Sequence, residues 1–360
     1  IKLIFNNKIN TLRTYNDYNV KFLPETQFIN VKFKKIKISE VDKVKAKASP
    51  FVYYNKRIYY SYYLSRYKNN LFLAYADRKI LYINTDGLNY PKADFKTIRH
   101  NLNEDKFQFR DMIISNGKIF ISTATKLNDK CTIIEVYSAY LDVSKNLEFK
   151  NLFTNSECLT WSVNGGQLEI WEHLGQNSIL LSMSGDERVN GIETDPKPQD
   201  DKSLYGKILI INEKDGKYEI FSKGHRNTIG LYADISANII LNTENGPRGG
   251  DEINLIQYGK NYGWDTASYG KKYVNSNDQD DLIDYKLSHE DNNFEEPIFA
   301  FVPSIGISEI IKIENNFSKQ WFNNFLVASL NSGHIYRFKF NNDFTKTIFF
   351  EKIFIGERVR

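Results

Sequence analysis

The chain has 360 residues, 41% of them hydrophobic and 14% aromatic, which is ample for a packed core but long for one simple domain unless the fold is a barrel or a propeller. Its 48 basic and 44 acidic residues leave a net charge of only +4, too balanced to suggest nucleic acid as a partner. No run of ~18 apolar residues occurs, so no membrane-spanning helix is expected.

Tyr (23) and Phe (25), beside many Ile, Val and Thr, suit pleated, half-buried surfaces. Helical periodicity is hard to find, whereas short apolar runs recur between Asn, Asp, Gly and Lys clusters, so the chain reads as all-β. It opens "IKLIFNN", without Met or a signal-peptide pattern, as a processed mature chain or a fragment would. "VKFKKIKI" (31–38) predicts a strand with one lysine-bearing face, a protected edge. Paired-strand patterns then follow at 69–84, 116–126, 176–186, 205–212, 237–246 and 323–340. Hairpins repeated along a long all-β chain point to a propeller, although the spacing is irregular and a two-sheet sandwich fits the pattern too. Residues 186–203 and 273–297 read as long loops, which tend to carry sites. Cys131 and Cys158 are too few for a disulfide framework or a cysteine-rich metal site. One bridge between them, in an oxidising compartment, and two separate buried thiols both stay open.

The densest signal is "NTENGPRGGDEINLIQYGKNYGW" (242–264), where glycines, a proline and acids crowd together in a chain with only 20 glycines and 8 prolines. A tight turn with solvated acids and a cation or cofactor site are the two physical readings. Together with "SKGHRNTIGL" (222–231), "GKNYGWDTASYG" (259–270), "GGQLEI", "SMSGD", "LYGKILIIN", "EEPIFAFVPSIGIS", "FLVASLNSGHIYRFKF" and the terminal "GERVR", this stretch resembles the soluble PQQ-dependent aldose sugar dehydrogenases of the glucose/sorbosone dehydrogenase family. The resemblance runs over roughly 161–360, with weaker likeness from "NKRIYYSYY" (55–63) onward.

That resemblance implies a single six-bladed β-propeller across 1–360 and a periplasmic or secreted protein that binds calcium and PQQ and acts on a sugar or similar small polar ligand. It places the carbonyls of Gly246 and Pro247 on a calcium ion that bridges to the quinone, a fitting task for hard oxygens on a rigid turn. Glu252 and the Tyr262 carbonyl match a second, structural calcium site. Arg226 and Asn227 match quinone-contacting positions, where an Arg fork and an amide can meet carboxylate or quinone oxygens. Arg358 and Arg360 match a pair that grips and stacks near the cofactor.

The pattern departs from the family where the chemistry sits. The general base is a histidine in the family, and "WSVNGGQL" puts Val163 there; Asp186 matches the carboxylate that orients that histidine. Ile229 stands where the family has Gln, and Asn331 where it has a cofactor-contacting Lys. None of His100, His173, His225, His289 and His334 is at the base position, and His173 is expected on a blade turn. Valine cannot accept a proton, and a general base contributes ~10²–10⁴-fold. Two functions follow as expectations: a PQQ-dependent sugar dehydrogenase with impaired chemistry, or a non-catalytic, calcium-stabilised propeller that binds a sugar or a protein.

Overall fold

Short apolar runs joined by tight turns can satisfy their backbone groups by pairing with the next strand in sequence, and the whole fold grows from that rule. A computed structural model describes residues 37–38, 62–75, 78–87, 92–102, 107–128, 131–158, 165–185, 188–189, 192–193, 197–272 and 285–360. β1 (Lys37–Ile38) precedes β2 (Tyr62–Tyr67), β3 (Asn70–Tyr75) and β4 (Lys79–Asn84). β5 (Lys92–Ala93) pairs in parallel with β1, and β6 (Lys96–Ile98) completes a first four-stranded blade with β2, β3 and β4. The second blade is β7 (Phe107–Ser115), β8 (Lys118–Asn128), β9 (Cys131–Tyr140) and β10 (Lys150–Thr154). The third uses β11 (Gly165–His173) and β12 (Gln176–Met183), makes an excursion through the small hairpin β13 (Arg188–Val189) and β14 (Ile192–Glu193), then adds β15 (Lys207–Asn212) and β16 (Tyr218–Lys223). The fourth is β17 (Thr228–Asp234), β18 (Ile239–Glu244), β19 (Asp251–Leu255) and β20 (Phe299–Phe301). The fifth is β21 (Ile307–Lys312), β22 (Phe325–Ser329), β23 (His334–Phe340) and β24 (Thr347–Phe354). Within every blade the strands run antiparallel.

The turns carry the residues such geometry demands. Asn116 and Gly117, at φ 48° and 75°, close the β7–β8 hairpin with the Asn-Gly pair that best tolerates left-handed backbone. Core side chains lie between blades. Phe120, Ile134, Leu168, Leu181 and Leu209 fill the space between the second and third, and Leu241, Ile253, Ile310, Val327 and Phe338 fill that between the fourth and fifth. The first strands β2, β7, β11, β17 and β21 contact one another in series, which is propeller packing.

The all-β propeller is therefore as expected, but the described residues build five blades, not six. Two of the six paired-strand passages in the sequence, 176–186 and 205–212, supply β12 and β15 of one blade. The count of six came from the family resemblance, and the described residues carry only five four-stranded sheets. The expected lysine-faced strand falls within the described residues only at Lys37–Ile38, and of the expected loop 186–203 the structure describes two short strands and a 3-10 turn at Lys197–Gln199. His173 ends β11 at a two-residue turn, as expected, and meets Glu219 at 2.6 Å. Cys131 and Cys158 form a disulfide, which decides between the two cysteine readings. No helix among the described residues is long and apolar enough to cross a membrane.

Each first strand is also the edge of its sheet, with alternate N–H groups left over by the ladder. Carboxylates from neighbouring blades accept them. Asp111 on β7 takes the Met112 N–H at 2.7 Å and the Leu168 N–H of β11 at 2.8 Å. Glu169 on β11 accepts from Ile170 at 2.9 Å and from Ala233 of β17, and Glu309 on β21 accepts from Ile310 at 3.0 Å and from Leu231 of β17. Burial raises Asp111 to about 6, and burial with repulsion from Asp111 raises Glu169 and Glu309 to about 8.

Two outcomes follow. The bridge closes a loop with a sequence separation of 27, which in the chain-entropy account contributes about 3–4 kcal/mol. Replacing both cysteines by Ala should lower the unfolding free energy by about 2–4 kcal/mol in denaturant titration; a loss under about 0.5 kcal/mol would mean that the constraint is not felt. The acid ring has raised folded-state values, so its stabilising effect is complete below the unfolded pKa of about 4 and fades as pH climbs towards the folded values. Glu309→Gln should therefore gain stability relative to the parent as pH rises from about 4.5 to 8. A melting-temperature difference that stays flat over that range would contradict the burial of this charge.

Candidate functional site

The glycine-rich stretch joins β18 to β19, and its ladder sets the site. Asn242 lies opposite Asn254 and Glu244 opposite Glu252, so two amides and two carboxyls share one face of the fourth blade. The acids are not solvated: Glu244 is 4% exposed, Asp251 2% and Glu252 7%. Asp251 accounts for the turn. Its Oδ1 accepts from the Gly246 N–H at 3.1 Å and the Ser304 hydroxyl at 2.9 Å, and its Oδ2 from the Ile305 and Ile307 N–H groups, each at 2.9 Å. Gly246 must be glycine, because a Cβ there would drive into the Gly249 and Gly250 carbonyls.

Glu244 draws "GHRN" onto this turn. It accepts the Arg226 N–H on one oxygen, and on the other it meets the Asn242 amide at 3.3 Å and His225 Nδ1 at 3.1 Å. His225 Nε2 in turn pairs with the Ser222 hydroxyl at 2.8 Å, and the ring stacks on Tyr262 with 4.8 Å between centroids. Ser222 and His225 are each 1% exposed, so this Ser-His-Glu chain braces the interior rather than meeting a substrate. Arg226 extends its guanidinium to the carbonyls of Asn245 at 2.8 Å and Gly246 at 2.9 Å, with its Cζ 5.2 Å from the Trp264 ring centre. Arg226 and Gly246 are thus brought together, with the guanidinium beside one of the carbonyls expected to face calcium. The Pro247 carbonyl accepts from the Gly249 N–H at 3.1 Å. Asn227 is 7% exposed and its Oδ1 has no hydrogen-bond partner, an acceptor left for a donor on a bound group or water.

The arginines at the C-terminal end are joined to the turn through β21. The Asn245 amide donates to the Ile307 carbonyl at 2.7 Å, and the Ser308 hydroxyl to the Val359 carbonyl at 2.8 Å. Arg358 donates to the Leu330 carbonyl at 3.1 Å and to Asn331 Oδ1 at 3.2 Å. A lysine at 331 would set an ammonium against that guanidinium; the amide oxygen instead receives it. Arg360 is exposed at the chain end, and its charge adds to burial in lowering the pKa of Arg110 on β7. Ile229 sits at the bulge of β17. Val163 and Asp186 lie outside the described residues, although Gly185 donates to the Arg226 carbonyl at 2.7 Å.

Glu252 meets the Asn254 side chain but none of the donors that Glu244 collects. Burial first, then Glu244 across the ladder, pushes its carboxyl well above the usual range. His289 Nε2 approaches it at 3.7 Å, but burial lowers the pKa of that imidazole, which keeps it neutral and unable to compensate a negative charge. Tyr262 spends its hydroxyl on the Leu255 carbonyl at 2.6 Å and the Gln257 N–H at 2.9 Å. Among the described residues no three His, Cys, Asp or Glu side chains group in a metal-holding arrangement, so a cation here must draw on carbonyl and amide oxygens as well. The fit is chemical: a buried carboxyl with no positive partner and the Asn254 side chain beside it.

His225, Glu244, Trp264, Asn245 and His289 are site residues that the sequence alone does not single out. Lys207 is another, fully buried and donating to the Lys197, Pro198 and Tyr205 carbonyls at 2.9, 3.0 and 2.9 Å, with burial bringing its pKa down to about 8. It fixes the turn from which Gln199 grips the Trp264 carbonyl at 2.5 Å. The clue in the sequence is a lysine inside the apolar strand "KILIIN".

The chain is 26% identical over 219 residues to the aldose sugar dehydrogenase YliI of Escherichia coli, covering 56% of this chain and 54% of that protein. It is 33% identical over 176 residues to the uncharacterized protein slr1608 of Synechocystis, covering 45% and 41%. It thus spans about half the length, or less, of the curated relatives it matches. Among solved structures, a glucose dehydrogenase superposes with a TM-score of 0.65 at 22% identity, covering 82% of this chain and 88% of that one. The apo aldose sugar dehydrogenase of E. coli gives 0.61 at 21% (81% and 84%), and the PQQ-bound enzyme of Streptomyces coelicolor 0.58 at 16% (83% and 83%). At these identities the structures establish the propeller fold. The glucose/sorbosone dehydrogenase family profile matches residues 109–360, beginning well before the sequence motifs at 161, and the chain belongs to that family.

Proposed function

We propose that this chain is a sugar-dehydrogenase-type propeller that keeps a pocket for PQQ and calcium but is impaired in proton abstraction. Family membership supports the class, and the buried, unpartnered Oδ1 of Asn227 beside Arg226 carries the pocket. Asn227, Arg226, Arg358 and Arg360 would hold the quinone, Gly246 and Pro247 the calcium beside it, and Glu252 with the Tyr262 carbonyl a structural calcium. When bound, the quinone supplies the acceptor for the two electrons that leave the sugar. Arg226 would then turn its fork from the Gly246 carbonyl to the anionic group, exchanging a neutral acceptor for a charge-assisted one. Val163 offers no lone pair for the sugar's hydroxyl proton, and Asp186 keeps a carboxylate with no imidazole to orient. The Cys131–Cys158 bridge fits the periplasm or the cell exterior.

One observation favours a second reading, a binding propeller without redox chemistry. Asn331 already receives Arg358, so that side of the pocket is closed on itself rather than open to a cofactor.

Titration of PQQ with calcium, followed by absorbance and by dye reduction with aldoses, separates the two. Val163→His should raise PQQ-dependent aldose oxidation by roughly 10²-fold or more, the contribution of a positioned base. Strong oxidation by the parent, unchanged in the variant, would mean that the base lies elsewhere; no gain, with PQQ bound, would favour the binding propeller. Asn227→Ala should weaken PQQ binding about tenfold in calorimetry, as expected for one lost hydrogen bond. Because Oδ1 has no protein partner, the cofactor-free melting temperature should hold. Unchanged affinity would remove Asn227 from the pocket.

A further inference from the structure

The interface between the third and fourth blades changes character along its length. Ile240 and Ile256 pack against Trp171, Leu180, Ile208 and Phe221 in an ordinary apolar layer. Two residues along each strand, the same face becomes polar, with Asn242 opposite Asn254 and then Glu244 opposite Glu252. Glu244 is satisfied by His225, Arg226 and Asn242. The remainder is not: Asn254 is 1% exposed and Asn242 0%, and the side-chain oxygen of each is unpartnered. A buried polar group left unpaired is destabilising, so unpartnered amide oxygens in register call for an occupant.

We propose that the side-chain oxygens of Asn254 and Asn242 bind the same calcium ion as Glu252, so that the ion is seated in the strand ladder between the third and fourth blades. This rests on the calcium reading of Glu252 given above. Calcium takes about 6–8 hard oxygens, more than one carboxylate and one carbonyl provide. Asn254 lies two residues along β19 from Glu252, on the same face of the ladder, and its side chain reaches the Glu252 carboxyl. Asn242 is aimed by its own amide nitrogen, held by Thr228 Oγ1 at 3.0 Å and Glu244 Oε2 at 3.3 Å, which leaves its oxygen facing away from those partners. The site is distinct from the Gly246–Pro247 turn, whose carbonyls accept hydrogen bonds from Arg226 and Gly249.

The test is calorimetric titration of calcium alone into the chelator-treated full chain, with melting curves. Asn254→Val should weaken calcium binding at least tenfold while leaving the metal-free melting temperature equal or higher, since an unpartnered amide oxygen has been removed. Asn254→Asp keeps an oxygen and should retain binding, and it serves if the valine variant does not fold. Parent-like binding by Asn254→Val, with binding lost in Glu252→Gln, would overturn the assignment and leave Glu252 as the ligand. A metal-free melting temperature several degrees lower in Asn254→Val would also overturn it, because the amide would then be bonded through ordered water. No calcium response in the parent would instead sink the calcium reading of Glu252 itself.

Discussion

Two buried carboxyls face each other across the β18–β19 ladder, and much of the site is a response to that pair. Like charges directly opposite in a sheet repel, and burial removes the water that would screen them. Glu244 resolves the conflict by collecting donors: the Arg226 N–H, the Asn242 amide and His225. In doing so it fixes "GHRN" against the glycine-rich turn and lays Arg226 across the Asn245 and Gly246 carbonyls. Glu252 has the Asn254 side chain and the His289 imidazole within reach, and no cation. The asymmetry makes one glutamate a brace and leaves the other buried without a positive partner.

The same turn ties the fourth blade to the fifth. Asp251 gathers N–H groups from Gly246, Ile305 and Ile307, so the backbone that shapes the pocket also positions the start of β21. From there Ser308 reaches Val359, and the C-terminal arginines are placed over the strand ends. The turn is therefore a junction of blades. Changes at Asn331, where Arg358 now finds an amide oxygen, alter the junction without disturbing the propeller beneath it.

What could be read from the sequence follows the range of the forces involved. Strand identity is local, so the apolar runs and the Asn116–Gly117 turn located strands; of the six passages read as strand pairs, only 69–84 and 323–340 hold two strands, and the other four hold one each. Blade count is not local: 176–186 and 205–212 read as separate hairpin signals, and only their pairing shows that they share a sheet. The cysteine spacing could not decide between a bridge and two thiols, because the answer depends on where β9 and the segment after β10 meet. Motif likeness singled out Arg226, Asn227, Gly246 and Glu252. It could not show that Glu244, 18 residues from Arg226, holds that arginine's backbone, nor that His289 lies against Glu252. Nor could it show that the turn acids are buried rather than solvated, since that depends on packing with the neighbouring blades.

The central claim is that the unmatched charge of Glu252 is met by a metal ion inside the sheet. Anomalous diffraction from crystals of the intact chain grown with calcium tests it most directly. The account predicts an anomalous peak between the third and fourth blades, bounded by the Glu252 carboxylate, the Tyr262 carbonyl and the Asn254 amide oxygen at the ~2.3–2.6 Å typical of calcium. A map with only water-sized density there, or with Glu252 turned to a protein donor and no peak, would contradict it.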